Sequence, residues 1–382
     1  MTSEKKLRLL VEGWRWIPHS YALVNAFQLL ELNQRENVEI FIRDIPYPSE
    51  SWQPTKELLS ADEEELLESF QVWNGEDIDA VYRIAFPADL SPPPVSGVPV
   101  FVFLTAEYQK FMPDFFVNGT AADIPNLDYL HFITPSKWSQ VAFQDYGRPC
   151  HVIPHGVDRT KLYRMSDSER SEARGSLKIE DKFVWLNISA MTGNKGLDVL
   201  LRAFAQLCME ETQSVLFLKG LNGLYNSDYY LNQWLEVLPE KHRDLVKSRI
   251  FCTQASLPYS EVNRLFNLAD CYVAPYRAEG FNMPVLESAG CGLPVLVSDG
   301  GSTADFINED VARTIRTTLV ENDERTYLDP DVDDLISKMR EVRDDASFRE
   351  RVVTEGPKHV EKSYGWAGIV DQLIAVISKT CR

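Results

Sequence analysis

The stretch RAEGFNMPVLESAGCGLPVLVSDGG, residues 277–301, sets two carboxylates, Glu279 and Glu287, around a Gly-Phe-Asn-Met-Pro turn. The pattern here is strand, loop, helix. Gly280 lets the backbone turn sharply and leaves room for a ligand to approach. Pro284 suits the first helical turn, where its missing N–H would have no partner in any case. The N–H groups of Phe281, Asn282 and Met283 then stand at a helix start, where dipole and donors favour a phosphate or diphosphate. Glu287, about one turn further in, can accept hydrogen bonds from the paired hydroxyls of a ribose. Glu279, at the strand end, faces whatever is attached to the diphosphate. Lys195, in NISAMTGNKGLDVLL, adds a cation of the kind that stabilises a departing anionic group. Each residue also has a plainer reading. Glutamates at this spacing are common by chance as helix-surface charge, and Lys-Gly is commonly a solvated loop. The surrounding pattern has to decide.

The elements that would position these residues alternate along the chain. KLRLLVEGW predicts a strand ending at Gly13, and SYALVNAFQLLELNQ a helix with Ser20 as its N-cap. VEIFIRD is a strand, EELLESFQVW a helix, and IDAVYRIAF, VPVFVFLTAEY and LDYLHFITPS are strands. KWSQVAFQDYG is a helix closed by Gly147. After HVIPHGVD comes a polar, charge-rich segment, residues 159–182, and the domain boundary is placed here. FVWLNISAM, SVLFLKG, RIFCTQ, CYVAPY and PVLVSD then predict strands alternating with helices. Such alternation implies α/β architecture with parallel sheets covered on both faces. The expected division is 1–158 and 159–363, with an amphipathic C-terminal helix, 364–382, crossing back to the first domain. Two doubly wound domains in tandem leave a cleft at the carboxyl ends of their strands, where ligands bind.

Composition narrows the function classes. The 382 residues are 44% apolar and 25% charged, which is globular, and the net charge of −18 argues against nucleic acid and anionic lipid as partners. The longest clean apolar run, VPVFVFL, is far short of the roughly 20 residues a membrane span needs. Peripheral association stays open. The six scattered cysteines show neither zinc spacing nor a disulfide pattern. They read as free thiols of a cytoplasmic protein. No Asp-x-Asp metal site appears in a strand-end loop, and no metal or cofactor is expected.

The segment ADCYVAPYRAEGFNMPVLESAGCGLPVLVSDGG resembles the donor-binding segment of the retaining nucleotide-sugar glycosyltransferases of family 4 (group 1). Pro275, Glu279, Gly280, Phe281, Pro284, Glu287, Gly292, Pro294 and Val295 fall on its pattern. VIPHGVD, NISAMTGNKGLDVLLRAF and YGWAGIVDQLIAVI resemble three further family segments in the same order. The resemblance covers roughly residues 130 to 382, and the first 130 mainly by topology. It implies the GT-B fold, two Rossmann-like domains facing across a cleft. The first would serve the acceptor and the second the nucleoside-diphosphate sugar, such as a UDP- or GDP-sugar. It implies transfer of a hexosyl unit to an acceptor hydroxyl on a carbohydrate or glycan-bearing molecule, with retention and without metal. Lys195 would contact the diphosphate, Glu279 and the Phe281–Met283 amides the sugar and β-phosphate, and Glu287 the ribose. Backbone near Gln254 to Leu257 would meet the base. The loop after Gly13, with His19, would flank the diphosphate and acceptor; His19 can equally cap its helix.

The departures from the family pattern are specific. Ala190 stands where the family has an arginine, and Arg277, Lys219 and Arg15 are candidate substitutes. Thr105 and Ala106 fall where it has a strand-end histidine. Two other readings stay open: a nucleotide-sugar-binding protein without transferase activity, and a GT-B enzyme of other chemistry such as an epimerase.

Overall fold

The computed structural model describes residues 5–381. The chain forms two units, one reaching to Gly156 and resuming at Trp366, the other spanning Val157–Gly365.

The first unit is built on six strands: β1 (Leu7–Gly13), β2 (Val38–Asp44), β3 (Ala80–Ile84), β4 (Val100–Phe103), β5 (Leu130–Thr134) and β6 (Cys150–Val152). Their order is β2-β1-β3-β4-β5-β6, with every neighbouring pair parallel. The central strands are largely apolar because both faces of such a sheet are covered; all five residues of β3 are buried, its one charge, Arg83, being paired with Glu12 of β1 at 2.7 Å.

Helix α1 (Ser20–Leu32) begins one residue earlier than its predicted cap implies. His19, not Ser20, is the N-cap: its backbone is extended and its Nδ1 accepts from the Tyr21 N–H at 3.2 Å. Helix α2 (Ala61–Ser69) opens with a capping box of Ser60 and Glu63. It stops short of the predicted Trp73. Gln71 and Trp73 instead bond the backbone of Ile42, at 2.9 Å each, because β2 is an edge strand with groups to satisfy.

The second unit has the strands β7 (Phe183–Ile188), β8 (Ser214–Lys219), β9 (Ile250–Thr253), β10 (Cys271–Ala274), β11 (Val295–Ser298) and β12 (Ala312–Ile315). All pairs are parallel in the order β9-β8-β7-β10-β11-β12, so the winding direction reverses between β7 and β10. The polar segment 159–182 contains a helix, α3 (Asp167–Ser176), rather than a simple link. Its charges have partners: Ser166 and Glu169 form a capping box, and Arg174 bonds Asp270 at 3.0 Å and the Leu268 carbonyl at 2.8 Å. A hairpin, Thr317–Glu321 with Thr326–Pro330, was not anticipated by the strand pattern.

Three helices carry the rest of the site: α4 (Leu197–Glu210), α5 (Tyr259–Leu268) and α6 (Met283–Gly290). The chain's last helix, α7 (Trp366–Thr380), belongs to the first unit. Trp366 stacks on Phe27 of α1 with centroids 5.4 Å apart, and Arg35 bonds Asp371 at 2.9 Å.

Candidate active site

The reversal between β7 and β10 is where an open parallel sheet leaves a crevice at its carboxyl ends. The loops leaving these two strands carry Lys195 and Glu279. They are held as one body. Both the Arg277 and Ala278 N–H groups donate to the Asn194 carbonyl, at 2.7 and 3.2 Å, and Asn194 Nδ2 returns a bond to the Ala278 carbonyl at 3.2 Å. Gly196 makes this approach possible. Its φ is +68°, and a Cβ there would lie 1.8 Å from the Pro275 carbonyl oxygen. Beneath the loops, Asn187 Nδ2 donates to the Val273 carbonyl at 2.7 Å and ties β7 to β10. The result is an ion pair between Lys195 Nζ and Glu279 Oε2 at 3.0 Å, with side chains only 14% and 13% exposed.

Helix α6 starts immediately after Glu279, Gly280, Phe281 and Asn282. Asn282 is its N-cap with φ +73°, the left-handed region that Gly, and among other residues Asn, enters most readily. That explains how Asn stands where the resembling pattern has glycine. Pro284 lies in the first turn, as expected. Among the described residues the Asn282 and Met283 N–H groups donate to no protein acceptor, so two donors remain at the positive end of the helix. Phe281 is buried, its ring 4.6 Å from Phe306, and contributes backbone rather than side chain to the turn.

Glu287, one turn into α6, is buried, and Tyr259 of α5 donates a hydrogen bond to it. Burial raises its carboxyl pKa to about 7, and the tyrosine bond only partly offsets that. It is therefore a hydrogen-bonding group waiting in a dry setting, not a helix-surface charge.

The base-side candidates follow β9. The Gln254 carbonyl accepts from the Asn222 N–H at 3.1 Å, and its side-chain Nε2 lies 3.1 Å from Cys252 Sγ. Its Oε1 is buried with no hydrogen-bond partner among the described residues. Leu257 is half-buried in the same loop. The Ala190 carbonyl accepts from Ser227 Oγ at 3.1 Å.

The first-unit candidates have definite local roles. Gly13 ends β1 where a Cβ would sit 2.7 Å from both Ile84 Cγ2 and the Ile84 carbonyl oxygen, so close packing excludes a side chain. His19 caps α1 and meets Trp14 edge-on at 5.2 Å. At the histidine position of the family pattern, the Thr105 N–H donates to the Tyr21 hydroxyl at 3.0 Å and the Ala106 N–H to Ser139 Oγ.

Two substitutes suggested for the cation missing at Ala190 are committed elsewhere. Arg277 holds Asp198 through two bonds, 2.7 and 2.9 Å, and the Gly193 carbonyl at 3.0 Å; it is the brace of the loop. Arg15 of the first unit is paired with Asp44 at 2.6 Å. Asp198 and Tyr259 went unread in the sequence as site-building residues. Asp198 had a signal, its fixed place after Lys195-Gly196; Tyr259 had none, since only the fold brings it to Glu287.

Residues 169–359 match the family described as glycosyl transferases group 1. The chain belongs to this family. Mannosylfructose-phosphate synthase of Agrobacterium fabrum is 26% identical over 242 residues, 62% of this chain and 50% of that protein. D-inositol 3-phosphate glycosyltransferase 1 of Catenulispora acidiphila is 28% identical over 232 residues, 59% of this chain and 50% of that protein. The chain thus spans about half the length of these relatives. Anabaena HepE, solved with UDP and glucose, superposes with a TM-score of 0.67 at 17% identity, covering 98% of this chain and 100% of its own. The fold is GT-B, as the resemblance implied, with two Rossmann-like units. Among the described residues no helix is long and apolar enough to cross a membrane.

Proposed function

We propose that this group 1 glycosyltransferase family member is a retaining hexosyltransferase that uses a UDP- or GDP-sugar and an acceptor hydroxyl of a carbohydrate or glycan-bearing molecule. The observation that carries the reading is the junction of Lys195, Glu279 and the start of α6: a cation, a carboxylate and two backbone donors on two loops braced together. The diphosphate sits against the α6 donors and Lys195. Glu279 accepts from hydroxyls of the transferred sugar, and Glu287 from the ribose. Gln254 and Leu257 border the base. His19 serves the acceptor side from the first unit.

The bond from the anomeric carbon to the β-phosphate oxygen breaks as that carbon bonds the acceptor oxygen on the same face. The acceptor proton passes to the departing phosphate. The chain's own residues position the partners and stabilise the charge that develops on the diphosphate, so no metal is required. HepE was solved with UDP and glucose, which supports a uridine nucleotide for that protein.

A thermal-shift screen of UDP-, GDP- and ADP-sugars identifies the donor, and its slow hydrolysis or transfer is then followed by release of the nucleoside diphosphate. Glu279→Ala should cut turnover by about 100-fold or more, since one lost transition-state contact of this kind costs on that order. Turnover near wild type in that variant would remove Glu279 from the reaction. A second reading, donor binding without transfer, is favoured by Ala190 and by the occupied backbone at Thr105. Tight binding with neither transfer nor hydrolysis in the same assay would select it.

A further inference from the structure

Lys219 is the last residue of β8, the strand between β7 and β9. Its carbonyl accepts from the Ser189 N–H at 3.0 Å, on the loop that leads to Ala190. The next residue, Gly220, donates to the Thr253 carbonyl at the end of β9, at 2.9 Å. Ser227 Oγ closes the group, accepting from the Leu221 N–H at 2.9 Å and donating to the Ala190 carbonyl at 3.1 Å. Lys219 therefore stands where the loops after three neighbouring strands are bonded together. Ala190 lies two residues beyond Ile188, the strand partner of Lys219, about 7 Å further along the strand direction.

The side chain is half-buried, and among the described residues it forms no ion pair. Desolvation alone lowers its pKa to about 8, with no neighbouring charge contributing. The nearby cations differ in this respect: Lys195 has Glu279, and Arg277 has Asp198. A desolvated ammonium without a counter-ion costs the folded protein free energy. Nothing in the packing of β8 calls for a charge here, since the residues before it in the strand are all buried and five of its six positions lie in the core.

We propose that Lys219 is the second diphosphate-binding cation of this site, supplying from β8 the positive charge that an arginine at position 190 supplies in the family pattern. The inference rests on the donor reading given above. Lys219 donates to an oxygen of the bound diphosphate and adds to the charge of Lys195. A single ammonium gives less directional recognition than a guanidinium.

Calorimetric titration of the wild-type chain with UDP, GDP and ADP, and with uridine, guanosine and adenosine, tests this beside Lys219→Met and Lys219→Arg. The nucleoside diphosphate that binds wild type should bind Lys219→Met about 10- to 100-fold more weakly, the worth of one charge-assisted hydrogen bond. The matching nucleoside should bind both equally, and Lys219→Arg should recover most of the diphosphate affinity. The thermal midpoint of ligand-free Lys219→Met should equal or exceed that of wild type, because a partly desolvated charge without an ion-pair partner has been removed. Undiminished diphosphate binding by Lys219→Met overturns the proposal, as does an equal loss of nucleoside affinity or a lowered ligand-free midpoint. If wild type binds none of the three diphosphates, the donor reading itself fails, an outcome distinct from any of these.

Discussion

With Glu287 as the proposed ribose contact, ligand binding and folding should respond to pH in opposite directions. Its carboxyl is buried, and in the ligand-free protein its pKa is raised from the ordinary 4.5 to about 7. Tyr259 and Tyr272 and the thiol of Cys291 face it from α5, β10 and the end of α6, all of them neutral over this range because burial pushes each one up. To accept from both ribose hydroxyls the carboxyl has to be ionised. At an apparent pKa near 7 it is ionised in about one molecule in 11 at pH 6 and in about ten in 11 at pH 8, so affinity for the nucleoside diphosphate should rise about tenfold. Folding stability moves the other way. A carboxyl whose folded pKa lies above its unfolded value contributes stability that is complete below about 4.5 and is lost as pH rises through about 7; the shift corresponds to about 3 kcal/mol. Glu287→Gln removes both dependences while keeping a group that can hydrogen-bond. The assay is calorimetric titration from pH 6 to 8 together with urea unfolding of the ligand-free protein from pH 4.5 to 7.5, for wild type and variant. Equal pH slopes in the two proteins, for binding and for unfolding, would refute the assignment of this carboxyl as the titrating ribose contact.

Two substitutions probe the loops that build the site. Gly196→Ala should destabilise the second unit by about 3 kcal/mol or more and abolish nucleotide binding, since the new methyl would lie 1.8 Å from the Pro275 carbonyl and neither loop can give way without breaking the Asn194 bonds; urea unfolding measures the first effect and titration the second. Asn282→Gly should leave stability within about 0.5 kcal/mol of wild type and preserve binding, whereas Asn282→Val should cost about 1–2 kcal/mol because a β-branched residue resists the left-handed backbone at φ +73°. Equal unfolding midpoints for the two Asn282 variants would show that the turn does not demand that conformation.

Most of the framework was legible because parallel α/β strands are short, apolar and regularly interrupted. Ten of the twelve strands of the two six-stranded sheets were visible in this way, and the turn at Glu279 to Pro284 was read directly from glycine, proline and the acidic flanks; the edge strands β6, three residues long, and β12, with Arg313 and Thr314 at its centre, carried no such apolar run. What failed had local causes. Ser20 looked like the cap because serine is the commoner capping residue, yet the chain enters the helix one residue sooner and the imidazole of His19 does the work. Helix α2 was extended over Gln71–Trp73 because apolar spacing cannot see that edge strand β2 offers those residues hydrogen bonds. Helix α3 was hidden by its own charges, whose partners, Asp270 and the Leu268 carbonyl, lie nearly a hundred residues away. Arg277 and Asp198 are 79 residues apart, and that pairing, like the shorter-range Tyr259–Glu287, exists only once β7, β10 and α5 are adjacent.

These pairings explain why the cations at the crevice are not interchangeable. Arg277 looks, in sequence, like the best replacement for an arginine lacking at Ala190, being next to the motif and permanently charged. Its position makes it the brace instead: with Asp198 only 8% exposed, releasing the guanidinium to a ligand would leave a buried carboxylate unpaired, a cost of about 3 kcal/mol or more. Lys195 pays no such penalty in turning toward a diphosphate, provided Glu279 simultaneously finds the hydroxyls of the attached sugar. Under the proposed donor reading, the ion pair between them at 3.0 Å would act as a ligand-free placeholder, keeping each charge compensated until one molecule presents an anion and hydroxyls together. A free phosphate would satisfy only the lysine and leave Glu279 without its cation. On this argument an intact nucleoside-diphosphate sugar should gain more from Lys195 than the nucleoside diphosphate does, and Lys195→Met should narrow the affinity difference between the two ligands. An unchanged difference would mean that the pair does not exchange partners on binding.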